Sequence, residues 1–165
     1  PIGLLAALLG RQRGLEVHVL DQVTSGPKPA LVRDLGATYH SGDIKALGFA
    51  PDIVVECTGA AAVLVDVMEL AAPDGVICLA GVSSGGHSIS LDIGLINRDL
   101  VLRNTVVFGS VNANRQHYEA AASALSRADK SWLARLVTRR VPLADWQTAL
   151  KREPDDVKLV VDFTL

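Results

Sequence analysis

Gly3 stands at the head of an apolar run, Leu4 to Leu9, and a carboxylate, Asp21, closes the next β-rich run, Val17 to Leu20. This is the back half of a Gly-x-Gly-x-x-Gly dinucleotide fingerprint: Gly3 stands as the third glycine, where helix and strand pack closely, and Asp21, about twenty residues on, as the ribose-binding acid. Backbone N–H groups at the start of that helix favour a pyrophosphate. A carboxylate at the end of the second strand accepts hydrogen bonds from both adenosine ribose hydroxyls and repels a 2′-phosphate, which favours NAD over NADP. Gln22 follows Asp21, so no arginine clamp is present, and Lys28 is the nearby cation. The bland alternatives are a glycine kept for packing and an aspartate that merely ends a strand.

Two further turns fall where open α/β sheets bind ligands, after strand C-termini: Thr58-Gly59, and Ala80-Gly81-Val82. Glu56 sits inside an apolar strand, is costly to bury unpaired, and reads first as a hydrogen-bonded structural carboxylate. In Val107-Phe108-Gly109-Ser110-Val111-Asn112-Ala113-Asn114-Arg115-Gln116-His117-Tyr118, a strand ends in a turn bearing two amides before a polar-headed helix. Asn114 suits a helix N-cap. Asn112 has no such structural duty, and its amide both donates and accepts, which fits a carboxamide or vicinal hydroxyls. Cys57 and Cys78 lie in β-type runs and read as buried structural thiols. The four histidines, His18, His40, His87 and His117, are scattered, so local spacing assembles no metal site.

The elements that must position these residues alternate between helical and strand periodicity, the pattern of an α/β doubly wound parallel sheet. The expected order is helix Ile2 to Arg13, strand Glu16 to Leu20, a helix after Ser25-Gly26-Pro27-Lys28-Pro29 that stops at Gly36, and strand Thr38 to His40. Strand Asp52 to Cys57, helix Ala60 to Ala72 and strand Val76 to Ala80 follow, then an edge-like stretch Ser88 to Leu91, a helix near Leu95 to Asp99 and a strand near Thr105 to Phe108. A helix His117 to Arg127, strand Leu136 to Val141, short helix Ala144 to Leu150 and strand Val157 to Phe163 complete it. In the doubly wound order 3-2-1-4-5-6 the first strand lies between the strand ending at Asp21 and that ending near Thr58. That strand is not in this sequence, and its absence leaves a gap of roughly 9 to 10 Å, too wide for backbone hydrogen bonds. The chain is therefore expected to be a piece of a larger nucleotide-dependent enzyme.

With 165 residues and 49% hydrophobic content, the chain supports one well-packed domain and a few further elements. Sixteen basic against eighteen acidic residues, without basic clusters, argue against nucleic acid and anionic membranes as partners and for a small molecule. No apolar run is long enough to span a bilayer, and the expected location is cytoplasmic.

The Pro1-Ile2-Gly3 helix start, Asp21, Gly26-Pro27-Lys28-Pro29, Leu35-Gly36-Ala37-Thr38-Tyr39, Glu56-Cys57-Thr58-Gly59 and above all Gly109-Ser110-Val111-Asn112 together resemble the zinc-dependent glucose dehydrogenases of the medium-chain dehydrogenase/reductase superfamily, over the C-terminal half of such an enzyme. The resemblance implies a Rossmann domain, an NAD cofactor with NADP as a further possibility, and hydride transfer from C1 of a β-aldose to C4 of the nicotinamide, giving an aldonolactone. It also implies a catalytic zinc acting as Lewis acid, with ligands in an N-terminal domain that this sequence does not contain. By the same resemblance, Ile2 and Gly3 lie at the pyrophosphate, Asp21 at the adenosine ribose, Thr58 beside the cofactor, and Val82 and Phe108 near the nicotinamide. Asn112 meets the nicotinamide edge or the sugar hydroxyls, and Lys158 reaches back to the cofactor phosphates; on physical grounds alone, Lys158 is a solvated charge. The division implied is a coenzyme domain over residues 1–135 and a tail, 136–165, belonging to the catalytic domain, with Trp132, Trp146 and Phe163 partly exposed without it. A homodimer or tetramer is expected through Ser88 to Asn104. The chain by itself is expected to be inactive. Two other readings stay open: another medium-chain zinc alcohol or polyol dehydrogenase, and a module that binds NAD without chemistry.

Overall fold

A computed structural model describes residues 1–86 and 88–165. Its elements run α1 (Ile2–Gln12), β1 (His18–Asp21), α2 (Pro27–Asp34), β2 (Thr38–Ser41), β3 (Ile53–Glu56), α3 (Ala61–Leu70), β4 (Val76–Leu79), α4 (Ile93–Leu102), β5 (Val106–Gly109), α5 (Arg115–Arg127), α6 (Lys130–Leu136), β6 (Val137–Pro142) and β7 (Lys158–Asp162). A 3-10 turn covers Ile44–Ala46 and a 3-10 segment Leu143–Leu150. The chain divides into two compact units, Pro1–Ser41 with Arg115–Leu165, and Gly42–Asn114.

In the first unit α1 buries Leu4, Ala7 and Leu8, the i, i+3, i+4 stripe of an amphipathic helix. Gly10 lets that helix lie close to the next segment, since a Cβ there would stand 2.7 Å from Val17 Cγ2. α2 starts with Pro27, whose fixed φ suits a first helical position, after Gly26 at φ +90°. β1 and β2 pair in parallel, His18 with Thr38 through Asp21 with Ser41. The core of this unit joins Leu4, Leu8, Leu31, Val32, Ala37, Ala128, Trp132, Leu136 and Val157. β6 and β7 form a separate parallel pair, which Arg139 braces by bonding Asp156 and the carbonyls of Thr148 and Lys151.

Trp132 corrects the expectation of exposure. It is only 3% exposed, and its indole Nε1 donates to Leu31 O at 2.9 Å. The cause is α6, a helix absent from the expected order: Asp129 caps it through Ser131 N and Trp132 N, and its apolar side lands in the core. Trp146 and Phe163 are exposed, at 48% and 77%.

In the second unit β3, β4 and β5 make a three-stranded parallel sheet with Ile53, Val76 and Val106 on one rung and Glu56, Leu79 and Gly109 on the last. Val67 and Ala71 pack with fully buried Ile77, with Val54, Val63, Leu79 and Val107 around them. Ile53, Val55, Val106 and Phe108 share the other face and are exposed. Ser88 to Leu91, the edge-like stretch, has no regular secondary structure within the single chain, and Asp92 next caps α4 through Leu95 N. His87 lies outside the described residues.

The parallel pairings are β2-β1 in the first unit and β3-β4-β5 in the second, with no strand bonded to both β1 and β3 among the described residues.

Candidate functional site

The last rung of the three-stranded sheet carries an unusual residue for its depth. Glu56 is 3% exposed in an otherwise apolar strand, yet both carboxylate oxygens are satisfied. Oε1 accepts from Thr58 N and Thr58 Oγ1, each at 2.5 Å, and from Gly59 N at 3.0 Å, while Oε2 lies 3.1 Å from Gly59 N. Thr58 Oγ1 in turn accepts from Ala60 N at 3.0 Å. The structural reading of Glu56 holds: its burial is offset by charge-assisted bonds to the turn that follows it.

The turn after β4 closes against this one. Ala80 N and Gly81 N both donate to the backbone carbonyl of Glu56, at 2.8 and 2.9 Å. A Cβ on Gly81 would collide with Gly59 N and would stand 2.6 Å from Glu56 Oε2. Gly59, at φ +67°, meets the backbone of Val82 from the other side, and Ser83 Oγ donates to Gly59 O at 2.6 Å. Both glycines are therefore required by close backbone approach. Val82 is 81% exposed just beyond, and Phe108 is exposed one residue before the end of β5. Asn112 is exposed in the loop that follows β5. Thr58, Val82, Phe108 and Asn112 thus belong to the C-terminal ends of three adjacent parallel strands or to the loops leaving them. Burial, then Glu56 and Cys78, push the Cys57 thiol up, which favours its protonated form.

In the first unit, Ile2 is exposed and Gly3 half-buried in the opening turn of α1. Asp21 ends β1, and Lys28 Nζ donates to its Oδ2 at 2.7 Å. Burial by itself raises the Asp21 pKa, but the Lys28 hydrogen bond and charge, with the N–H groups of Val23 and Gln22, outweigh it and hold the carboxyl below the usual range. Tyr39 OH donates to Val23 O at 2.5 Å, pinning the loop between that carboxylate and α2; burial and then the Asp21 charge raise its pKa. Lys158 is exposed on β7, opposite Val137 in the β6–β7 pair. The Asp21–Lys28 pair and the Glu56 clasp were each within reach of the sequence: a cation seven residues after the acid, at the head of a proline-started helix, and a Glu-x-Thr-Gly spacing at a strand end. Among the described residues no three or more His, Cys, Asp or Glu side chains group to hold a metal ion, and no helix is long and apolar enough to cross a membrane. A recess lined by Leu8, Asp34, Leu35, Asp129, Trp132 and Arg135 lies between helices of the first unit and includes none of the candidate site residues.

Parallel ladders joined through helices, with glycine turns at the strand C-termini, define a Rossmann-like α/β fold. A profile of the family described as glucose dehydrogenase C-terminus matches residues 1–163, and the chain belongs to that family. It is 37% identical over 166 residues to glucose 1-dehydrogenase 1 of Caldivirga maquilingensis, covering 98% of this chain and 47% of that protein. To glucose 1-dehydrogenase of Methanocella arvoryzae it is 33% identical over 172 residues, covering 98% and 48%. The crystal structure of Haloferax mediterranei glucose dehydrogenase in complex with NADP, Zn and gluconolactone superposes with a TM-score of 0.87 at 28% identity, over 98% of this chain and 48% of that one. The chain thus spans about half the length of these relatives.

Proposed function

We propose that this chain is the coenzyme-binding part of a glucose dehydrogenase, in which hydride passes from C1 of glucose or a similar aldose to C4 of a nicotinamide, giving an aldonolactone. The observation that carries the reading is the paired glycine turn at Thr58-Gly59 and Gly81-Val82, where a side chain at either glycine would meet backbone, beside exposed Val82 and Phe108. Such a surface suits a flat, partly apolar ring. Family membership supplies the substrate class.

In this reading Ile2 and Gly3 bind the pyrophosphate, Asp21 the adenosine ribose hydroxyls, and Thr58, Val82 and Phe108 the nicotinamide side. Asn112 meets the carboxamide or sugar hydroxyls, and Lys158 reaches the phosphates. Asp21 favours NAD, and Lys28 beside it gives NADP a route to acceptance by supplying a positive charge. Zinc, when bound by a catalytic domain, supplies Lewis-acid polarisation of the sugar hydroxyl. Residues 136–165 form the tail that packs on that domain, which accounts for exposed Leu143, Trp146, Leu150 and Phe163. Ser88 to Asn104 pairs two copies, and the exposed Ile89, Leu91, Ile93, Leu95, Val101 and Leu102 support an apolar contact there. Light scattering giving a monomer at micromolar concentration would remove the pairing.

The test is turnover by the full-length protein with zinc, glucose and either coenzyme, with the sugar product identified. Glucose-dependent reduction with gluconolactone or gluconate formed supports the reading. Turnover of polyols but not aldoses replaces it with an alcohol or polyol dehydrogenase, and coenzyme binding without any turnover replaces it with a binding module.

A further inference from the structure

The geometry points to Glu56 as a positioning residue for the nicotinamide half of the dinucleotide, acting through the two turns it holds; this rests on the coenzyme reading above. One residue secures both turns by different groups. Its carbonyl holds the β4 turn through Ala80 N and Gly81 N, and its carboxylate holds the β3 turn through Thr58 N, Thr58 Oγ1 and Gly59 N. Leu79 on the same rung shows that the sheet interior accepts an aliphatic side chain at this level. A buried carboxylate is costly beside such a residue, so its use is specific to the donors around it.

The bonding also decides what the turn can offer a ligand. The Thr58 hydroxyl donates to Glu56 and accepts from Ala60 N, Gly59 N is taken by Glu56, and Gly59 O is taken by Ser83 Oγ. These polar groups serve the turn, so Thr58 meets the nicotinamide side through the placement of its backbone and methyl, together with Val82 and Phe108. Loosening Glu56 therefore shifts the floor under the nicotinamide ring while leaving Asp21, in the other compact unit, with its own partners. Small displacements of positioning groups weaken binding and turnover out of proportion to their size.

The experiment uses the full-length protein and two probes, NADH for the whole dinucleotide and AMP for its adenosine side, titrated by calorimetry. Glu56→Gln keeps the shape and one accepting oxygen but sets an amide NH2 against Gly59 N–H or Thr58 N–H. The expected result is a Kd for NADH weakened roughly tenfold or more, with the Kd for AMP unchanged. Thr58→Val, which removes the hydroxyl that Glu56 accepts while keeping the side-chain shape, gives the same selective loss at smaller size and carries the test where Glu56→Gln does not fold. Unchanged NADH binding in both variants overturns the proposal. Equal weakening of NADH and AMP also overturns it, since that is a general loss of structure. Wild-type protein that binds neither NADH nor NADPH overturns the coenzyme reading itself, and this inference with it.

Discussion

Lys28 Nζ lies 2.7 Å from Asp21 Oδ2, so the acid that ends β1 carries its own counter-ion from the first turn of α2. Both side chains are partly shielded, at 20% and 32% exposure, which makes the pair more than a screened surface contact. Replacing Asp21 by Ala removes the ribose acceptor and frees the ammonium for a 2′-phosphate. The ratio of kcat/KM with NADP to that with NAD is expected to rise roughly ten- to a hundredfold, the scale of one hydrogen bond to a charged group. Steady-state kinetics of the full-length variant checks this; an unchanged ratio takes away the role assigned to Asp21.

Gly81→Ala tests the packing of the two turns. The added methyl meets Gly59 N, Glu56 Oε2 and the Thr58 carbonyl carbon, and two of these are backbone of a turn held by the Glu56 carboxylate. A loss of about 1–3 kcal/mol in urea unfolding is expected, as for other overpacked sites. Gly85→Ala is the control: among the described residues nothing lies within 4 Å of its added Cβ, and its effect is expected within about 0.5 kcal/mol of zero.

What the sequence made legible is mostly local. Helix α1, the Pro27 start of α2 and the strands ending at Asp21, Glu56 and Leu79 follow from apolar periodicity and from proline and glycine punctuation, and they fall within two or three residues of expectation. Helix α6 was missed because its seven residues are too few for a clear period, although Asp129 ahead of Lys130-Ser131-Trp132 is an N-cap signal. Ser88 to Leu91 alternates in polarity but forms no regular element within the single chain, since alternation by itself does not make a strand. Glu56 was legible as a satisfied carboxylate; that its carbonyl also holds the β4 turn depends on the register of β3 against β4, which composition does not encode.

Trp132 gives the first unit an intrinsic reporter. Its indole is buried and bonded to Leu31 O, whereas Trp146 is about half exposed. Trp146→Phe is expected to leave a blue-shifted emission that moves to the red only on unfolding. Trp132→Ala is expected to cost about 3–5 kcal/mol, from the cavity together with an unpaired carbonyl. A red-shifted spectrum from folded Trp146→Phe protein contradicts the packing of α6.

The parallel pair β1–β2 carries a titrating contact. His18 Nδ1 and His40 Nε2 are 2.8 Å apart with the rings stacked at 5.0 Å, and Glu16 Oε1 lies 3.2 Å from His18 Nε2. Burial, and then the neighbouring His18, lower the His40 pKa, so the folded state resists a proton that the unfolded chain takes up near the ordinary value of 6.5. Stability linked to His40 is therefore full above that value and falls as the pH drops below it, until the folded ring also titrates. Urea unfolding midpoints are expected to be flat above about pH 7 and to decline below about 6.5, with a shallower decline in His40→Gln. Parallel curves for the wild type and the variant across that window would show that the proton is taken up elsewhere.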